Sequence, residues 1–164
     1  YLKCLVPHLS IIQNKKNLVD LKEESSFINS QMPKNSIILF DGVCNFCNRT
    51  INIILKYDKQ VYFQFAPSQS SAAVAIMQEF GLEENAIASV ILFDQEKVYS
   101  KTDAVIQIAN RLSGWPKLFR LLKFIPKPIR DFAYDLIAKN RYVLFGKKDH
   151  CMIPDASIRH RFLQ

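Results

Sequence analysis

Cysteine is scarce in this chain: four in 164 residues, at positions 4, 44, 47 and 151. That is too few, and too uneven a spacing, to staple a small secreted scaffold. No apolar run approaches the ~18 residues of a membrane span. The first thirteen residues include Lys3 and several apolar residues, but Pro7, His8 and Gln13 interrupt them. No small-residue cleavage site follows, so no signal peptide is read there. Internal repeats and low-complexity tracts are absent. The three histidines, His8, His150 and His160, lack ligand spacing, and there is no second Cys-x-x-Cys. A zinc or iron–sulfur site, which needs about four ligands, is therefore poorly supplied. The aromatic residues sit among aliphatic ones and not between charges, which argues against a nucleic-acid stacking platform.

What remains is a chain with 49% hydrophobic residues, long enough for one domain with a real core. Residues 1–31, polar-rich after Gln13, read as a poorly structured N-terminal extension. Met32 stands directly before the first convincing strand, so the folded unit is expected over 32–164. The net charge of +7 is uneven: residues 101–164 hold 13 Lys and Arg against 5 Asp and Glu, whereas residues 1–100 hold 9 against 10.

The chemistry concentrates in Ile37-Ile38-Leu39-Phe40-Asp41-Gly42-Val43-Cys44-Asn45-Phe46-Cys47-Asn48. An apolar strand delivers a Cys-x-x-Cys pair onto a helix, because Cys47, Ile51, Ile54 and Leu55 fall on one helical face. Cys44, one turn earlier, is placed where free N–H groups and the helix dipole favour an anion. No Glu or Lys in the first turn offsets that dipole. A free thiol titrates near about 8.5, and such placement can bring one to roughly 3.5–7.5. Cys44 is thus the expected nucleophile and Cys47 the resolving thiol. Asp41 has two roles open to it: accepting a backbone N–H at the strand-to-helix turn, the commoner use, or taking the Cys47 proton during resolution.

Around this motif the pattern predicts a strand over 36–40, a helix over 44–57 and a strand over 61–66. A helix capped by Ser70 or Ser71 and ended by Gly81 follows, then a hairpin over 89–93 and 97–100, and a helix capped by Thr102. The order β-α-β-α-β-β-α, its first two strands parallel through a right-handed crossover, gives an α/β, thioredoxin-like mixed sheet. An added helical region caps it from about 115 to 164.

With these residues in view the chain resembles the DCC family of thiol-disulfide oxidoreductases, named for Asp-x-x-Cys-x-x-Cys. The motif here is Asp41-Gly42-Val43-Cys44-Asn45-Phe46-Cys47-Asn48. The stretches 65–70, 97–104, 125–131 and 140–151 are also similar to the family, so the likeness runs from about Met32 to the C-terminus. It implies a thioredoxin-like fold and dithiol–disulfide exchange with a protein or small-molecule disulfide. It differs from thioredoxins proper in two places: Asn45-Phe46 stands where they carry Gly-Pro, and Glu84–Val90 lacks their cis-proline.

The other residues admit plainer uses. Cys151 is a candidate third redox thiol, or a small buried hydrophobe, as most free cysteines are. Arg141, Lys147 and Lys148 read most simply as solvated charges; the second reading puts them near the dithiol, where they would stabilise a Cys44 thiolate. The basic amphipathic run Trp115–Ile125 reads first as a helix covering the sheet with its charged row in water. An interfacial membrane helix, or a dock for an acidic partner, is the second reading. The expectation is a cytoplasmic reductase that needs no cofactor beyond its dithiol, binds no nucleic acid and is recharged by an unnamed reducing partner. The rival is a metal-binding or membrane-docking module with a structural cysteine pair.

Overall fold

The structure is a computed structural model that describes residues 36–82, 89–95, 97–148 and 154–163. The expected extension over 1–31, most of the proline-free stretch 84–90, and Cys151 lie outside the described residues. At the centre stands β1 (Ser36–Phe40), every residue of which is buried. It pairs parallel with β2 (Phe63–Pro67) and antiparallel with β3 (Ile91–Asp94), which pairs antiparallel with β4 (Lys97–Ser100). The sheet order is β2-β1-β3-β4.

The two-residue period of β1 divides the core between the sheet's faces. Ile38 and Phe40 pack with Ile51 and Ile54 of α1 (Asn45–Tyr57) and with Ala104 and Ile108 of α3 (Lys101–Arg111). Ile37 and Leu39 pack on the opposite face with Ala73, Ile76 and Met77 of α2 (Ser71–Glu79). This explains why β1 reads as an unbroken apolar run: it is covered on both sides. The result is the expected thioredoxin-like α/β arrangement, with α1 and α3 on one face and α2 on the other. Ser70 caps α2 as expected, its hydroxyl accepting the Ala73 N–H at 3.2 Å.

Three local expectations are corrected. The second strand begins at Phe63 and not at Val61, which has φ of 51°. The Asp58 carboxylate accepts the N–H groups of Tyr62 and Phe63 at 3.1 and 3.0 Å, which turns the chain before the ladder starts. Helix α3 starts with Ser100 at its N-cap, and Thr102 is instead buried, its hydroxyl bonded to Asp131 and Arg130. The segment Trp115–Phe124 does not cover the sheet as an α-helix. It forms 3₁₀ turns against α3, buries only Pro116 and leaves most of its large apolar side chains exposed. The added C-terminal region continues in α4 (Lys127–Phe145), with Pro at its first turn where the missing N–H costs nothing.

The chain returns at 159–163 to lock β2. Leu163 donates to the Phe65 carbonyl at 2.8 Å, and Phe162 packs between Phe40 and Phe65. Arg161, buried, donates to the Phe63 carbonyl and forms an ion pair with the fully buried Asp58. Removing one partner of such a pair leaves an uncompensated charge in the core. Arg161→Met is therefore expected to lower the stability of the domain by about 3–5 kcal/mol, read from the urea midpoint at constant m-value.

Candidate functional site

The dithiol turn begins where β1 ends. Helix α1 takes Cys44 itself as its N-cap, and the Cys44 Sγ accepts the Cys47 N–H at 3.2 Å. The sulfur thus occupies the place that a Ser or Asp oxygen usually fills, at the positive end of the helix. No acidic residue lies in the first turn. Asp41 accepts a backbone N–H as expected, but from Val43 at 3.1 Å, closing a tight turn and not capping α1. Asn48, buried one turn into α1, donates to the Gly42 carbonyl at 3.0 Å and fixes the turn from below.

Asp41 is itself buried, and its carboxylate is enclosed from several directions. Oδ1 accepts the Val43 N–H and Gln69 Nε2 at 3.2 Å, while Gln69 Oε1 accepts the Gly42 N–H at 3.2 Å. Oδ2 accepts the Arg141 guanidinium at 3.0 Å and the Tyr142 hydroxyl. These four donors match the roughly four lone-pair positions of a carboxylate. Burial, followed by the bond to Asp41, raises the Tyr142 phenol, so it remains protonated and donating. Arg141 is thus no solvated surface charge but the counter-ion of the motif aspartate, carried there by α4.

The two cysteines are free thiols in unlike settings. Cys44 has 0% exposure. The segment following α4 crosses it: Cys44 pairs antiparallel with Lys147, Asn45 donates to the Gly146 carbonyl at 3.4 Å, and Lys148 donates to the Val43 carbonyl at 2.8 Å. The Phe46 and Phe145 rings stack alongside at 4.7 Å. Gly146 has φ of 77°, and a side chain there would meet the Asn45 amide, which suits glycine to this close crossing. Cys47 is half-buried and packs against the core. Its thiol is pushed well above the usual range by burial, by the hydrogen bond with Cys44, and by the charges of Cys44 and Asp41; Arg141 opposes them. Tyr134 of α4 is raised by burial, against which its bond from the Val90 N–H at 3.0 Å acts.

The structure therefore brings Cys44, Cys47 and Asp41 together. Gln69, Tyr134 and Tyr142 were not singled out from the sequence, and the only sign of Gln69 and Tyr142 was that both fall in stretches similar to the DCC family. Among the described residues, no group of three or more His, Cys, Asp or Glu is placed to hold a metal. Cys4, His8, His150 and Cys151 lie outside them.

Comparison with known proteins agrees with this arrangement. Residues 38–147 match the family model for DCC1-like thiol-disulfide oxidoreductases. An uncharacterized protein of Bacillus subtilis, YuxK, is 40% identical over 134 residues, covering 82% of this chain and 98% of its own length. The DCC family protein At1g52590, chloroplastic, of Arabidopsis thaliana is 36% identical over 139 residues, covering 84% of this chain and 80% of its own. No solved structure matches.

Replacing Arg141 by Met would leave the Asp41 charge without its guanidinium. Because Arg141 retains slight solvent access, the loss of folding stability is expected at the low end for a broken buried pair, about 3 kcal/mol. Chemical denaturation of the reduced protein measures it.

Proposed function

Because this chain belongs to the DCC1-like thiol-disulfide oxidoreductase family, we propose that it reduces disulfides through the Cys44–Cys47 pair. The observation that carries this reading is the asymmetry of the pair. The Cys44 sulfur accepts an N–H at a helix N-terminus, which favours negative charge there, while Cys47 is held as the protonated thiol. Cys44 attacks one sulfur of the substrate disulfide, the substrate S–S bond breaks, and the first substrate thiolate leaves. Cys47 loses its proton and attacks the Cys44 sulfur, expelling the second substrate thiolate and closing the intramolecular disulfide. Two electrons pass to the substrate, which takes up two protons, and a separate reductant restores the dithiol. With Cys44 covered, attack requires the segment 146–148 to move aside.

Asp41 acts in this scheme as a fixed charge and organiser of the turn. A carboxylate already filled by four donors has no free lone pair for the Cys47 proton, which disfavours the proton-acceptor role. The substrate class is a protein or small-molecule disulfide. The reductase direction suits a reducing compartment such as the cytoplasm, although the Arabidopsis relative is named as chloroplastic. Cys151 stays a candidate third thiol, since Lys148, three residues before it, hydrogen-bonds within the dithiol turn.

The test is trapping. Cys47→Ser is expected to accumulate a mixed disulfide on Cys44 when given a disulfide-containing peptide, and Cys44→Ser to form none and to lose turnover. Mass spectrometry of the trapped species reads both, and shows whether Cys151 competes by forming a disulfide with Cys44. Full turnover by Cys44→Ser would overturn the reading. A second expectation concerns pH. In the mixed disulfide the Cys44 charge is gone, but burial and Asp41 still hold the Cys47 thiol up. Below that raised value the thiolate fraction grows about tenfold per pH unit. The resolution rate, followed by quenched flow, should therefore climb steadily from neutral pH into the alkaline range.

A further inference from the structure

Helix α4 is amphipathic in the inverse sense. Its polar side chains face the domain: Arg130 and Asp131 bond to Thr102, Asp135 pairs with Lys101, and Arg141 pairs with Asp41. None of its nineteen residues is buried. Ile129, Phe132, Leu136, Ile137, Val143 and Leu144 instead point outward, with Phe132 at 73% and Val143 at 86% exposure. Their spacing places them on one face of the helix. The 3₁₀ turns leading into α4 also leave apolar side chains exposed, Leu118 and Phe124 among them. An exposed apolar helix face of this kind marks an interaction surface.

Charge identifies what the surface meets. Between Trp115 and Lys148 the only acidic residues are Asp131 and Asp135, and both turn inward to partners on α3. Five exposed cations, at positions 117, 120, 123, 127 and 139, lie on the same two segments as the apolar residues, and of these only Lys127 forms an ion pair among the described residues. A two-fold contact with a second copy would bring these like charges together. The apolar residues run as a convex row along a helix of about 28 Å, a shape that a planar apolar medium accepts without a matching groove. Trp115, half exposed at the end of the surface, has the amphipathic ring favoured at lipid interfaces.

We propose that this face docks on an anionic lipid bilayer, lying in the interface with the lysines and arginines at the headgroups. Among the described residues no helix is long and apolar enough to cross a membrane, so the contact is peripheral. The opposite face of α4 holds Asp41, which sets the dithiol turn one helix diameter, about 10 Å, from the docked surface. The proposal does not depend on the redox reading.

Vesicle flotation of the full chain tests it. Vesicles of equal parts phosphatidylglycerol and phosphatidylcholine should capture the protein about tenfold better than phosphatidylcholine alone, and high salt should weaken that capture. A Phe132→Asp, Leu136→Asp double variant should lose capture while retaining its far-UV circular dichroism and its reaction with disulfides. Failure to float on anionic vesicles at low salt overturns the proposal. So does equal capture of the double variant, which would reduce the effect to charge alone. Light scattering that shows a dimer, returned to monomer by the double variant, would assign the face to a second copy and also overturn it.

Discussion

The carboxylate of Asp41 is the constraint on which the site depends. Its two oxygens join the turn after β1, the loop after β2 through Gln69, and α4 through Arg141 and Tyr142. A buried carboxylate is costly unless its charge is paired and its lone pairs are filled. Meeting that requirement draws three distant parts of the chain to one point. The dithiol turn is shaped by the same contacts, since Gln69 also accepts the Gly42 N–H and Asn48 donates to the Gly42 carbonyl.

One consequence is that α4 docks by polar contacts. Helices usually bury an apolar stripe; this one is fastened by Arg130, Asp131, Asp135 and Arg141 and leaves its apolar residues outside. Ion pairs are a modest source of net stability but a strong source of register, because a helix displaced by a turn leaves the buried Asp41 carboxylate without its guanidinium. The register matters here, since the chain leaving α4 crosses directly over Cys44.

The second consequence is electrostatic. Asp41 and Arg141 place opposite charges beside the same thiol, and burial with Asp41 outweighs Arg141 at Cys47. The proton is thereby kept on one cysteine, while the other sulfur receives the N–H of the helix terminus. Two chemically identical side chains three residues apart are made unequal by what surrounds them.

Much of this was legible in the sequence. Strand β1, the helix carrying Cys47, Ile51 and Ile54, the hairpin and the mixed sheet follow from periodicity and turn residues, which are local properties of the chain. The Asp-x-x-Cys-x-x-Cys motif likewise fixes the spacing of Asp41, Cys44 and Cys47, because a helix start brings residues three apart to one end. The late start of β2, the use of Thr102 as a partner for α4, and the exposed face of Trp115–Phe124 were not legible, since each depends on a contact across the fold. The same holds for Arg141: a cation on an amphipathic helix looks solvated unless its acidic partner, 100 residues away, is known to be buried opposite it. The sequence by itself determined which atoms can do chemistry and at what spacing. Only the tertiary structure decided which charge lies beside each sulfur, and which face of α4 meets the solvent, because burial and pairing are properties of the packed chain and not of its order.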